Sequence, residues 1–494
     1  MEERTELVRT GLFNLILFLT IVLANFIIAI ISTRKLTPQE FGTYQFLINF
    51  SSYFLIFSLT LGWFATRFTA RKINIIREVL VYSFLIIILS SLIFLISLYL
   101  INEKVINIGY DLIILTLFFM ITMQIINVFL GIGYGYNVLI STLGNFLQSI
   151  VRLIVLLIII YLLFAKISIV VILLTFIISN LLVIVYFSFI IQAIKNYKKE
   201  GTKFKETVHK LWFFPLLTFL ITSITFYDAA IVTLALSNTL PLAYFRTAFI
   251  ISNIVNYVQA IFPPFYKKYL ETISPVNILL GIKVLSIYLF LVSPLIIALG
   301  EHMLAILRLD YLPSYNTLVI LTIVAVLGNF AYFFNLIIQA KEKETEVINK
   351  DKFLKLVKID LSSLILQYIV LTIVLIIAKI YRPDPPFIAF LWSLAWLSFS
   401  INSFILRYKI FVKEIQIKIP LNSVIKYAIP GIISGIILYI IKPKLIALSF
   451  LESIINVILY SFIYLLIFLV IIYFLDRKII YKIFSIIFKD ILRK

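Results

Sequence analysis

Residues 79–101 read VLVYSFLIIILSSLIFLISLYLI, an apolar run without a single charged side chain. A helix that crosses the hydrocarbon of a bilayer needs about 20 such residues, whereas a helix on a water-soluble core keeps a polar face. This run has no such face. It also lacks the apolar–polar alternation of a barrel strand, and lipid leaves no partner for the backbone of an open sheet. The run is therefore predicted to be a transmembrane helix, and comparable runs recur along the whole chain.

Composition points the same way. Of 494 residues, 63% are apolar and 13% charged, against roughly 45–50% and 25% in soluble domains. A soluble surface could not cover that excess. The expected fold class is an all-α polytopic membrane protein of about 14 transmembrane helices, arranged as two pseudo-symmetric six-helix lobes plus two C-terminal helices. The first six spans are placed at Gly11–Ile31, Gln45–Phe64, Val79–Ile101, Leu112–Ile132, Leu139–Leu162 and Ile167–Ile191. The next six are Leu211–Leu236, Leu242–Pro264, Val276–Leu299, Leu318–Ala340, Ile359–Ala378 and Phe387–Leu406, and the last two are Val424–Ile441 and Ile454–Phe474. The link Gly131–Asn137 is the weakest boundary, with Gly131, Gly133 and Gly135 expected to break the helix. The first run is too long for a signal peptide and reads as a retained helix.

Loop charge orients the chain. With the N-terminus inside, 30 of the 43 lysines and arginines fall on the cytoplasmic side, 9 outside, and four within spans. That bias places both termini in the cytoplasm of a cell (plasma) membrane protein. It also accounts for most of the net charge of +20, so nucleic acid is not an expected partner and membrane lipids are. The tail 477–494 carries Lys478, Lys482, Lys489 and Arg493 on one helical face and Ile480, Phe484, Ile487 and Ile491 on another. It reads as a basic amphipathic helix on the inner leaflet.

The domains follow: an N-terminal six-helix lobe at 1–194, a basic cytoplasmic linker at 195–210, a C-terminal six-helix lobe at 211–407, two additional transmembrane helices at 408–476, and the tail at 477–494. The two lobes align at an offset of 201 residues, which sets Phe41-Gly42-Thr43-Tyr44 on Leu242-Ala243-Tyr244-Phe245, Arg9 on Lys210 and Arg67 on Lys268. Parallel repeats of this kind place a substrate path between the halves, beside spans 1, 2, 7 and 8.

Catalytic and metal chemistry find little support. The chain has no cysteine and two histidines, His209 and His302, so neither a thiolate nor a histidine metal site is expected. No cofactor is expected either. It has no phosphate-binding Gly-x-x-x-x-Gly-Lys-Ser/Thr loop.

One stretch resembles a family. Arg34-Lys35-Leu36-Thr37-Pro38-Gln39-Glu40-Phe41-Gly42-Thr43-Tyr44, after span 1, is similar to the R-x-L-(T/G)-P-x-E-(F/Y)-G-x-Y segment of Wzx-type polysaccharide flippases. These belong to the multidrug/oligosaccharidyl-lipid/polysaccharide exporter superfamily. Leu61-Gly62 with Arg67, Asp228 near the end of span 7, and Leu242–Ala248 with Pro263-Pro264 resemble further stretches of the same family. Span count, halves and loop charges agree along nearly the whole chain. The sequence departs from the pattern in Ala243, where the second-half glycine is common. It also lacks a mid-span arginine in span 1, which counts against lipid II as substrate. Within the motif, Leu36, Pro38, Glu40, Phe41, Gly42 and Tyr44 are expected to be structural.

The resemblance implies translocation of a polyprenyl-(di)phosphate-linked oligosaccharide, with H+ or Na+ as candidate coupling ions and glycan-assembly enzymes as candidate partners. Such a task needs cationic cavity walls and no covalent chemistry, so the chain is not expected to be an enzyme. The substrate-binding candidates are Arg67, Arg152, Asp228, Arg246, Lys268 and Lys283, since charges within spans are costly and tend to be functional. For each the alternative is packing, snorkelling or ordinary loop charge. Intramembrane amides (Asn25, Asn145, Gln148, Asn253, Asn256, Gln259, Asn329, Asn335, Gln339) offer sugar contacts or helix–helix hydrogen bonds. Rings near Tyr227 and Tyr244 are candidates for stacking on sugars. The competing readings are an ion-coupled drug or metabolite antiporter of the same superfamily and a membrane glycosyltransferase or polymerase. The latter is disfavoured by short outer loops and the absence of any Asp-x-Asp.

Overall fold

The computed structural model describes residues 2–104, 108–162, 167–194, 198–199, 204–206, 208–209, 212–262, 274–340, 350–417, 421–443 and 449–477. Eleven of its helices are long and apolar enough to cross a membrane, and the bent pair Pro38–Tyr53 and Ile56–Ala70 makes a twelfth span. Phe213–Leu236 is helical, as is Leu240–Ser252, which continues as a 3₁₀ segment over Asn253–Ile261. These occupy spans 7 and 8 and complete the fourteen. Span 3, the helix Ile76–Lys104, shows why the bundle belongs in lipid. Leu80, Phe84, Leu85, Leu89, Leu92 and Ile96 face outward, whereas Ser83, Ser90, Phe94 and Leu98 are buried. An apolar exterior over a partly polar interior inverts the pattern of a soluble helix.

Backbone contacts divide the chain into two compact units, Met1–Ala243 with Leu375–Arg382, and Tyr244–Val374 with Pro383–Lys494. Helix Phe213–Leu236 thus packs within the first of them, against both pieces of span 2.

In the first unit, span 4 (Tyr110–Tyr136) packs on the second piece of span 2 and on spans 3, 5 and 6. The glycines expected to break it do not: the helix runs through Gly131, Gly133 and Gly135 and ends at Asn137, whose backbone is extended. Those residues are places of close approach instead. A Cβ on Gly131 would lie 2.3 Å from the carbonyl oxygen of Gly62, and one on Gly135 2.3 Å from that of Thr66. Thr66 also donates to the Gly131 carbonyl at 2.8 Å.

Span 2, by contrast, was expected to be continuous and is bent by 52° at Phe54-Leu55. The Phe54 carbonyl accepts a hydrogen bond from Gln124 Nε2 at 3.1 Å, and Gln124 is held by Ser90. A carbonyl released from the helical ladder inside a membrane thus finds a side-chain partner. Beyond span 2, Ile73-Asn74 pairs in parallel with Lys198-Lys199 of the basic linker. The linker's Phe204 is fully buried beside Phe68 and Tyr82. The rest of the linker lies outside the described residues, except 205–206 and 208–209.

In the second unit the last two spans are fastened to span 9 (Pro275–Leu307). Gly431 comes so close that a Cβ would meet the Phe290 carbonyl oxygen at 2.0 Å, and Gly435 lies against Pro294. Tyr464 of span 14 donates to that same Phe290 carbonyl at 3.2 Å. Ion pairs Lys426–Asp476 and Lys442–Glu301, each 2.8 Å, sit at opposite ends of span 13. Lys426, near the start of span 13, is therefore a clamp between spans 13 and 14. The tail beyond Arg477 lies outside the described residues.

Spans 11 and 12 (Lys350–Tyr381 and Pro385–Ile415) are joined by a polar ladder. Asn402 bonds Ser362 and Ser363, Arg407 pairs with Asp360, and Lys355 with Glu414 at 2.7 Å. The Asp360–Arg407 rung is largely buried, at 27% and 13% side-chain exposure. Removing one partner of a buried pair strands the other charge. Asp360→Ala is expected to cost about 2–3 kcal/mol, somewhat below the range for a fully buried pair. A thermal unfolding midpoint should fall accordingly, and an unchanged midpoint would show the rung to be idle.

Candidate functional site

The motif segment builds a rigid helix start. Thr37 caps helix Pro38–Tyr53: its side chain accepts from the Glu40 backbone amide, and the Glu40 carboxylate accepts in return from the Thr37 amide at 2.8 Å. Pro38 sits in the first turn, where its missing amide costs nothing. Leu36, Phe41 and Tyr44 are buried beneath this turn, with Glu40 exposed.

Gly42 explains the small residue in the pattern. It lies on the turn between spans 7 and 8, where a Cβ would be 2.2 Å from the Thr239 carbonyl oxygen. The Thr239 hydroxyl donates to the Gln39 carbonyl at 3.2 Å and lies 3.4 Å from the Thr43 hydroxyl. Asn238 fixes that turn by accepting from the Leu240 amide at 2.9 Å. Farther along the same helices, the rings of Tyr53 and Tyr227 lie against each other with centres 3.9 Å apart and planes tilted by 32°. The ends of spans 2 and 7 are thus closed on each other within the first unit.

The candidate charges occupy different settings. Asp228 of span 7 is buried in the first unit, and Arg246 of span 8 is buried in the second with its guanidinium 5.3 Å from the Phe249 ring. Arg152 is buried in span 5 with its guanidinium 3.7 Å from the Phe176 ring. Arg67 is exposed and lies 3.6 Å over Trp63. Lys283 is half-buried on span 9. Lys268 lies outside the described residues, as do Pro263 and Pro264.

Several amides serve helix packing. Asn256, Asn329, Asn253 and Gln259 bond one another between spans 8 and 10, and Gln148 bonds Asn180, which bonds Thr122. Tyr244 packs edge-on to Tyr311. An apolar cavity of about 540 Å³ opens between spans 9, 10 and 13, with Phe290, Pro294, Tyr315 and Tyr439 among its walls. Among the described residues no group of three metal-ligating side chains forms a site.

Sequence reading missed Thr239, Gln124 and Tyr53. The first carried a readable signal: Asn238 and Thr239 stand at the repeat positions of Thr37 and Pro38. Gln124 was visible as an amide in an apolar span, although nothing local tied it to Phe54.

By sequence the chain matches no family model and no curated protein. Solved structures do resemble it. An inward-facing multidrug resistance MATE family transporter of the MOP superfamily aligns with TM-score 0.61 and 13% identity, over 80% of this chain and 94% of that one. The lipid II flippase MurJ in an inward closed conformation aligns with TM-score 0.58 and 13% identity, over 97% of this chain and all of that one. A MATE transporter in the straight conformation aligns with TM-score 0.54 and 13% identity, over 83% and 96%. The fold is therefore that of these membrane transporters.

Proposed function

We propose that this transporter-fold chain flips polyprenyl-(di)phosphate-linked oligosaccharides from the cytoplasmic to the outer leaflet by alternating access, for assembly of a surface polysaccharide or glycoconjugate. The observation that carries the reading is a pair of buried guanidinium groups within spans, Arg152 and Arg246, each beside an aromatic ring. An arginine at the centre of a span, as Arg152 is, costs about 2.5–3.5 kcal/mol on insertion scales, and Arg246, nearer the end of span 8, costs less, so the retention of Arg152 above all calls for a use. Its planar fork suits a phosphate. The fold adds support at the level of analogy: the flippase structure matches end to end, whereas the MATE structures leave about a fifth of this chain uncovered.

On this reading the lobes 1–194 and 211–407 rock in alternating access. Both termini are cytoplasmic, the membrane is the plasma membrane, and the contact of Gly42 with Thr239 lies at its outer face. Arg246 is the phosphate-binding candidate of the second unit and Asp228 a cation-site candidate of the first, with Arg67, Lys268 and Lys283 as further substrate-binding candidates. The driving force is an H+ or Na+ gradient, the membrane potential or downstream consumption of the glycan. No catalytic step or cofactor is needed.

The test is a liposome assay. Purified protein is reconstituted with a fluorescent polyprenyl-diphosphate oligosaccharide in both leaflets, and an impermeant reagent reports what remains accessible. Wild type should deplete the protected pool, and Arg246→Ala should slow it more than about tenfold, a barrier change of about 1.4 kcal/mol. The MATE-type structures favour a second reading, an ion-coupled drug or metabolite antiporter. Failure to flip several glycans under imposed ion gradients would favour that one.

A further inference from the structure

We propose that Arg152 and Tyr44 form a phosphate-class anion site inside the first unit, beneath the contact of Gly42 with Thr239. The inference rests on the reading of the chain as a carrier of phosphate-bearing substrates, and it names a second anion site distinct from Arg246.

Arg152 is 9% exposed and its Nε is buried without a hydrogen-bond partner. Among the described residues it is paired with no carboxylate. Arginine does not shed its proton to escape burial, and it has five N–H donors to place. The Phe176 face beneath it answers the charge in part and accepts none of those hydrogen bonds in the usual sense. Phe176 is itself held edge-on by Phe119, with ring centres 5.5 Å apart, so the platform is fixed.

Tyr44 supplies the second donor. It is 6% exposed, and its ring centre lies 6.4 Å from that of Phe176, the ring over which the Arg152 guanidinium sits at 3.7 Å. Its hydroxyl makes no hydrogen bond among the described residues. Gln148, one turn from Arg152, is already committed to Asn180 at 2.7 Å and so does not compete as a ligand. A buried cation over an aromatic ring, with a phenol beside it and no acid, is the donor set of an oxyanion site. Tyr44 follows Gly42 and Thr43 in the chain, so an anion held here sits one turn from the contact that closes spans 2 and 7.

The anion is either the headgroup of the lipid-linked substrate or a free phosphate. Binding of geranyl diphosphate and of inorganic pyrophosphate to the purified full chain would be measured by calorimetry, in an Arg246→Ala background that removes the other guanidinium. Arg152→Gln should weaken binding at least tenfold and Tyr44→Phe severalfold, with Arg152→Lys between them. Preference for the geranyl ester assigns the site to the substrate headgroup, and equal binding assigns it to a free anion. Unchanged affinity in both Arg152→Gln and Tyr44→Phe, or no binding of either probe in that background, overturns the proposal. Should Arg152→Gln fail to fold, Tyr44→Phe, which removes one oxygen, decides. Wild-type flipping in the liposome assay is scored separately, so loss of this site and loss of the flippase reading are told apart.

Discussion

Oxidation of a protein carrying Thr43→Cys and Thr239→Cys should stop translocation, and a reductant should restore it. The two hydroxyls lie 3.4 Å apart, so thiols in their place are within the reach of a disulfide. The chain has no cysteine of its own, which makes the crosslink unambiguous. With the proposed lobes 1–194 and 211–407, spans 2 and 7 belong to different halves, and alternating access parts them at this end. A covalent bond there should lower flipping by well over about tenfold, or more than about 1.4 kcal/mol in the barrier. Each single cysteine variant should keep most of its activity. If the oxidised double variant transported at the wild-type rate, the contact of Gly42 with Thr239 would be a static joint and the rocking scheme would fail.

Gly131→Ala should be among the most damaging single methyl groups in the first unit. The new carbon would stand 2.3 Å from the Gly62 carbonyl oxygen and 2.6 Å from its Cα, with backbone on both sides and no flexible side chain to yield. Spans 2 and 4 must then separate, which also stretches the 2.8 Å bond from Thr66 to the Gly131 carbonyl. The expected loss is about 3 kcal/mol, at the upper end for overpacking. A lowered unfolding midpoint and poor recovery in detergent would report it. By contrast Gly328→Ala, at a glycine with open space around it, should be silent.

These glycines also show where sequence reading stops. Apolar runs fix the spans because lipid leaves the chain few alternatives. Gly131, Gly133 and Gly135 looked like a break because glycine weakens helices in water. Inside a bilayer an unbonded amide costs more than glycine's flexibility gains, so the helix persists and the missing side chains become contact area. The bend at Phe54-Leu55 was invisible for the opposite reason. Both residues are ordinary, and the group that takes up the Phe54 carbonyl is Gln124, 70 residues away. Arg152 was legible as a candidate because a charge in a span is rare, yet only the structure puts Phe176 and Tyr44 beside it. The Thr37–Glu40 cap was legible in the motif itself, whereas Thr239 was legible only through the repeat.

The bend in span 2 has a mechanical meaning. A straight helix is a strut that carries a push from one membrane face to the other. Here the strut is interrupted at a joint whose loose carbonyl is already satisfied from the side, by a glutamine long enough to follow it through small changes of angle. The Phe54 and Leu55 amides turn back to the Ser51 and Ser52 carbonyls at 3.1 Å, so fewer bonds of the helical ladder cross this joint than cross the rods on either side. Pro38–Tyr53 can tilt as one lever while Ile56–Ala70, locked to span 4 by glycine contacts, stays as its fixed mount.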